Sequence, residues 1–198
     1  MKKNLKFDII FLIVFLFVCD ILTSLGKDIL HKAYTEDNIK QSSVLAGRIV
    51  DYYLANGSKT KWCDVYNAIT ISKIMASRYF PNGEFDYIDL VSIAMYESSF
   101  NPLKKGRHGE IGMWQVKPSD WHGVAAETQL DLRKNTDNCA MACIVLKEKS
   151  KMFDSHKNTI IAYNGFVVTN GKPNQSYWKE FIRHRRIIET LESKEVLK

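Results

Sequence analysis

Residues 86–102 read DYIDLVSIAMYESSFNP. Ile88, Val91, Ile93, Ala94 and Met95 make an apolar helix that starts near Asp86, and Phe100-Asn101-Pro102 stops it. The stop is steric, because the residue before a proline is pushed out of helical geometry. Glu97 and Ser98 therefore fall in the last turn of a helix apolar enough to belong to a core. A helix C-terminus carries partial negative charge and apolar neighbours withhold water. Both disfavour a carboxylate and should raise the pKa of Glu97. A carboxyl group kept protonated near neutral pH can serve as a general acid. From this context alone, a solvated helix-end glutamate is the simpler reading.

Outward from this helix the pattern stays helical. Residues 37–55 place Ile39, Leu45, Ile49, Tyr52 and Tyr53 near one face, and Asn56-Gly57 is a stop. Residues 62–79 carry Val65, Ile69, Ile74 and Met75 and end at Pro81-Asn82-Gly83. On the other side, 103–119 is turn-rich, with Gly106, Gly109, Gly112 and Pro118, and has room for short strands. Helices are predicted over 136–153, with Asp137 in the first turn, from 158 to the Asn164-Gly165 stop, and over 176–191. The last of these packs Tyr177, Phe181, Ile182, Ile188 and Leu191, and Gly171-Lys172-Pro173-Asn174 forms the loop before it. Nothing resembles the strand–helix alternation of a parallel sheet, so the fold class is mainly α.

The chain has 198 residues, of which 45% are hydrophobic and 25% charged, which suits one ordered domain rather than a disordered or fibrous chain. Its 28 Lys+Arg against 22 Asp+Glu give +6, a balance suited to an anionic polymer such as nucleic acid, anionic lipid or cell wall. The N-terminus narrows that choice. Lys2, Lys3 and Lys6 precede an unbroken apolar run from Ile9 to Val18, followed by Ile21, Leu22 and Leu25. This is the pattern of a secretory signal cut after Gly26, or of an uncleaved anchor that tolerates Asp20; a lipid-modified Cys19 is a third form. All three place the rest of the chain outside the cytoplasm, in the periplasm or cell envelope, which argues against nucleic acid. Cys63, Cys139 and Cys143 lie in the exported part. Cys63 could pair with either of the others, or all three could be small buried hydrophobes. No zinc-ligand spacing accompanies them.

Three blocks carry the functional signal. They are Tyr96-Glu97-Ser98-Ser99-Phe100-Asn101-Pro102, Gly109-Glu110-Ile111-Gly112-Met113-Trp114-Gln115-Val116 and Ile161-Ala162-Tyr163-Asn164-Gly165. In this order they resemble the lysozyme-like transglycosylase domain of bacterial soluble lytic transglycosylases. The first matches that family's Glu-Ser-x-Phe-Asn-Pro. The second matches its Gly-Leu-Met/Trp-Gln, with Met113 in place of Leu, and the third its Ala-Tyr-Asn. Asn138 falls in the helix where the family usually has an Asn. The resemblance covers about 85–190. It divides the chain into a signal or anchor helix (1–26), a helical N-terminal part without an assignable motif (27–84) and the transglycosylase domain (85–198). One departure stands out. Gly165 follows Asn164 directly, and Phe166 occupies the family's usual glycine position.

The resemblance implies a role for each matching residue. Glu97 looks like the single catalytic acid/base, and Ser98 like the serine that helps position the acid and the substrate N-acetyl group. Gln115, with the backbone of Gly112, Met113 and Trp114, looks like a wall of the sugar cleft. Tyr163 resembles the tyrosine that hydrogen-bonds near the carboxyl, Asn164 supports that loop, and Tyr177 matches a further cleft tyrosine. The implied substrate is the glycan strand of peptidoglycan, cut at the β-1,4 bond after N-acetylmuramic acid to leave a 1,6-anhydro end. The implied chemistry needs no metal or cofactor. Secretion or envelope machinery is a further partner in this reading, and the membrane is another if the N-terminal segment stays attached. A goose-type-like muramidase, or an inactive wall-binding component of a secretion apparatus, are the alternatives. Glu110 and Asp120 read as loop or capping groups, and His108 and His122 as loop residues. Trp114, Trp121 and Phe166 could stack on sugar rings, and Trp121 could equally sit in the core. Arg183, Arg185, Arg186 and His184 read as a solvated basic face.

Overall fold

Asp86 starts the central helix with a reciprocal cap. Its carboxylate accepts from the Asp89 backbone N–H at 2.9 Å, and the Asp89 carboxylate accepts from the Asp86 N–H at 3.1 Å. The computed structural model describes residues 35–165 and 173–193; residues 1–26, read from the sequence as a signal or anchor, and Phe166 lie outside them. Among the described residues there are seven helices and no strand. They are α1 (Glu36–Ala55), α2 (Trp62–Tyr79), α3 (Tyr87–Ser98), α4 (Pro118–Glu127), α5 (Asn135–Ser150), α6 (His156–Tyr163) and α7 (Gln175–Ser193). None of them is long and apolar enough to cross a membrane.

In α3, Leu90 through Met95 are six consecutive buried residues, so the helix is enclosed on every side rather than along one stripe. Helices α2 and α7 cover it, while α1 packs on α2, and α5 on α2 and α6. The side chains of α1 and α2, including Leu45, Ile49, Val65 and Ile69, share one hydrophobic core with those of α3, α5 and α7. An ion cluster ties the start of α3 to α6 and α7. Arg185 pairs with Asp86 at 2.7 Å, with Glu189 at 2.9 Å and with Asp89, whose other oxygen lies 3.1 Å from His156 Nε2. The basic residues of α7 are therefore not one solvated face: Arg185 is spent on this cluster and His184 is buried.

The turn-rich 103–119 region forms only two isolated antiparallel bridges, Lys105–Ile111 and Ile111–Val116. The sequence reading leaves 120–135 unassigned, whereas α4 begins at Pro118. This helix carries no fully buried residue and contains Gly123, so its apolar periodicity is faint. The three described cysteines are free: Cys63 is exposed while Cys139 and Cys143 are buried, so the pairing considered for Cys63 does not form. Burial is the main reason the Cys139 thiol is pushed up.

Candidate active site

Helix α3 ends in an uncommon way. Ser99 (φ 54°) and Phe100 (φ 64°) both take the left-handed conformation, although neither is glycine. Each such residue costs roughly 1–2 kcal/mol. Burial of the Phe100 ring, edge-on to Tyr53 at 6.1 Å, offsets that cost. The helix thus stops at Ser98 and leaves Glu97 on the rim of a cleft of about 420 Å³. Glu110, Gln115, Trp121, Tyr163 and Asn164 are among its other lining residues.

The Glu97 carboxyl is held by one oxygen. Oε1 accepts from the Tyr177 hydroxyl at 2.9 Å and from Asn164 Nδ2 at 3.4 Å. Oε2 has no hydrogen-bond partner among the described residues. Desolvation is the largest influence on the group and raises its pKa, the Tyr177 and Asn164 donors lower it, and the Glu110 charge raises it; the result is about 7. A carboxyl with that pKa is half protonated at neutral pH and can both give and take a proton.

The second block reaches the cleft through Glu110, Gln115 and Val116, whereas Gly112, Met113 and Trp114 are not among the lining residues. Ser98 Oγ donates to the Met113 carbonyl at 2.7 Å, pinning the end of α3 to the loop. The hydroxyl is buried and turned into the protein, so the contact with a substrate N-acetyl group that the resemblance implies is not where it points. Asn138 on α5 braces the same loop: its Oδ1 accepts from Trp114 N at 2.9 Å, and its Nδ2 donates to the carbonyls of Ile111 (3.0 Å) and Leu132 (3.2 Å). Gly112 is required here on two counts. Its φ is +81°, and a Cβ would lie 2.6 Å from the Asn138 side chain. Gln115, also left-handed (φ 48°), closes the turn by donating Nε2 to the carbonyls of Gly112 (2.7 Å) and Lys104 (3.1 Å).

Met113 and Trp114 contribute no side chain to the cleft. Both are fully buried, and the Trp114 indole donates to the Leu90 carbonyl at 2.9 Å, so it cannot stack on a sugar. Trp121, only partly buried, does line the cleft. Tyr163 donates to the Trp114 carbonyl at 2.6 Å rather than to Glu97. It supports the wall, and Tyr177 is the tyrosine that donates to Glu97. Glu110 lines the cleft with its carboxylate folded back onto the His108 N–H at 3.0 Å. Asp120 pairs with Lys117 at 3.0 Å. His108 also lines the cleft, whereas His122 turns back to the Ser119 carbonyl at 3.2 Å. The residue that sequence reading misses is Asn174, which links Asn164 to the start of α7; its signal was an Asn three positions before a helical Tyr.

A bundle of helices around a buried central helix, with one carboxyl at that helix's end and a loop-walled cleft beside it, defines a lysozyme-like domain. The Transglycosylase SLT domain model matches residues 82–184, more than half of the chain, and the chain belongs to that family. The family's activity is of the lytic transglycosylase type, on peptidoglycan. No curated protein and no solved structure matches the chain.

Proposed function

We propose that the chain cleaves the β-1,4 bond between N-acetylmuramic acid and N-acetylglucosamine and leaves 1,6-anhydromuramoyl ends, with Glu97 as the only acid/base. The observation that carries this reading is the Glu97 carboxyl itself. One of its oxygens is fixed by two donors, the other is unengaged, and its pKa lies near 7. Protonated Glu97 gives its proton to the glycosidic oxygen as the C1–O bond breaks. The carbonyl oxygen of the muramic N-acetyl group bonds to C1 and carries the positive charge. Glu97, now a carboxylate stabilised by Tyr177 and Asn164, removes the proton from the C6 hydroxyl. O6 attacks C1, the N-acetyl oxygen leaves it, and Glu97 is protonated again. Water is not consumed, and the second carboxylate of an ordinary glycosidase is not needed.

Glu110 supports one other reading, since it places a second carboxylate in the cleft. In that reading it directs a water at C1, and the product carries a reducing end. Digestion of purified sacculi followed by mass spectrometry separates the two. Anhydro-ended fragments from the wild type, and at least ~10²-fold fewer from Glu97→Gln, are expected. Reducing muramic ends would mean hydrolysis, and no soluble fragments at all would mean a wall-binding protein. The peptidoglycan substrate, together with Lys2, Lys3, Lys6 and the Ile9–Val18 run, supports export to the periplasm or envelope. A reporter fused after Lys198 that works only in the cytoplasm would contradict this.

A further inference from the structure

Asn174 precedes α7, and its side chain faces two ways. Its Oδ1 accepts from the Tyr177 backbone N–H at 3.2 Å and from the Ser176 hydroxyl at 2.6 Å, which caps the helix. A backbone N–H can only donate, so this contact fixes which end of the Asn174 amide is oxygen. Its Nδ2 then faces the other way and donates to Asn164 Oδ1 at 3.3 Å. With that oxygen engaged, Asn164 has only Nδ2 to present to Glu97, at 3.4 Å. The polarity of the whole chain of contacts is set by one backbone N–H in the first turn of α7.

We infer that Asn174 is a positioning residue for the acid: it holds the Asn164 amide with its N–H toward Glu97, through the same side chain that caps α7. The inference rests on reading Glu97 as the acid/base. An amide donor favours the carboxylate, whereas an amide turned by 180° would offer oxygen and favour the protonated form. The carboxylate must persist between the two proton transfers, so the direction of the Asn164 amide bears on both steps. The other titratable groups around Glu97 are Tyr96 of α3, Tyr163 of α6, Tyr177 of α7 and Glu110, with His108, Lys117 and Asp120 along the cleft. None of them orients the Asn164 amide. Asn164 closes α6 and Asn174 precedes α7, so the contact also ties the end of one helix to the start of the other.

Asn174→Ser tests the inference, because serine caps a helix as well as asparagine but is too short to reach Asn164. The alkaline limb of the kcat profile, which reports protonated Glu97, should move up by roughly half a pH unit or more, with the melting temperature little changed. Asn174→Asp keeps the cap and accepts from Asn164 Nδ2, which turns Oδ1 toward Glu97. It should move the limb the same way and further, because it also adds negative charge. In an Asn164→Ala background, Asn174→Ser should move nothing. A limb that stays put in both Asn174 variants, or that still moves without Asn164, overturns the inference and leaves Asn174 as a cap alone. A Glu97→Gln protein that still cleaves overturns instead the reading on which it rests.

Discussion

Burial and hydrogen bonding pull the Glu97 carboxyl in opposite directions, and burial prevails. A folded pKa of about 7, above the ordinary 4.5, means that the folded state holds a proton which the unfolded chain releases. The stability this contributes is complete below about pH 4.5 and is lost as pH rises through 7. Glu97→Gln has no proton to lose. It should match the wild type near pH 4 and exceed it near pH 8 by up to about 3 kcal/mol in urea unfolding. Equal stability near pH 8 would mean that the carboxyl is not held away from its usual range. The two tyrosines differ in the same terms. Tyr177→Phe keeps a buried ring and removes a donor to the carboxylate, so kcat should fall and its alkaline limb should move up. Tyr163→Phe removes only the bond to the Trp114 carbonyl. It should cost about 0.5–1.5 kcal/mol of stability and lower activity through the wall, with the limb unmoved.

The loop between α3 and α4 does at the level of elements what Glu97 does alone. It has almost no regular secondary structure, and its shape is imposed from outside by Ser98 on α3 and Asn138 on α5. Asn138→Ala leaves the Trp114 N–H and the Leu132 carbonyl without their partner, while the Ile111 carbonyl keeps the Val116 N–H. It should cost about 3 kcal/mol or more by chemical denaturation, with activity lost in proportion as the wall loosens. Unchanged stability would mean that water replaces the amide. The motif and its glycine were legible in the sequence, but not the reason for the glycine, because the Asn138 side chain that excludes a Cβ from Gly112 lies 26 residues further on. The start of α3 near Asp86 and its stop before Pro102 were legible because their causes are local, but not the left-handed Ser99 and Phe100, which depend on packing against Tyr53. Trp114 was misread as a sugar-stacking residue for the opposite reason: an aromatic just after a glycine-rich turn reads alike whether it faces sugar or core, and only the Leu90 carbonyl that its indole reaches decides. Asn174 read as plain loop: its cap on Tyr177 is local, but its contact with Asn164, ten residues back, forms only in the fold.

Across the whole molecule, the family match and the hydrophobic core have different boundaries. The match runs from 82 to 184, yet α3, which carries Glu97, is covered by α2, and α1 and α2 supply Leu45, Ile49, Val65 and Ile69 to the shared core. These four side chains are worth roughly 6–12 kcal/mol of burial, comparable with the whole stability of a domain, about 5–15 kcal/mol. The far boundary is as consequential. Arg185 is the first residue past the match, and Asp89, with its side chain 3% exposed, pairs with it. A segment ending at 184 keeps that carboxylate in the core and removes its main cation. Removing one partner of a buried pair costs about 3–5 kcal/mol. The 82–184 segment made alone should therefore show no cooperative thermal transition and should release no fragments from sacculi. Residues 35–193 should melt in a single step and retain the cleft. A cooperative melt of 82–184 with cleavage intact would mean that α1 and α2 only decorate the domain. A cooperative melt without cleavage would mean that they are needed to set the end of α3, where Thr60, just before α2, donates to the Ser99 carbonyl at 3.2 Å.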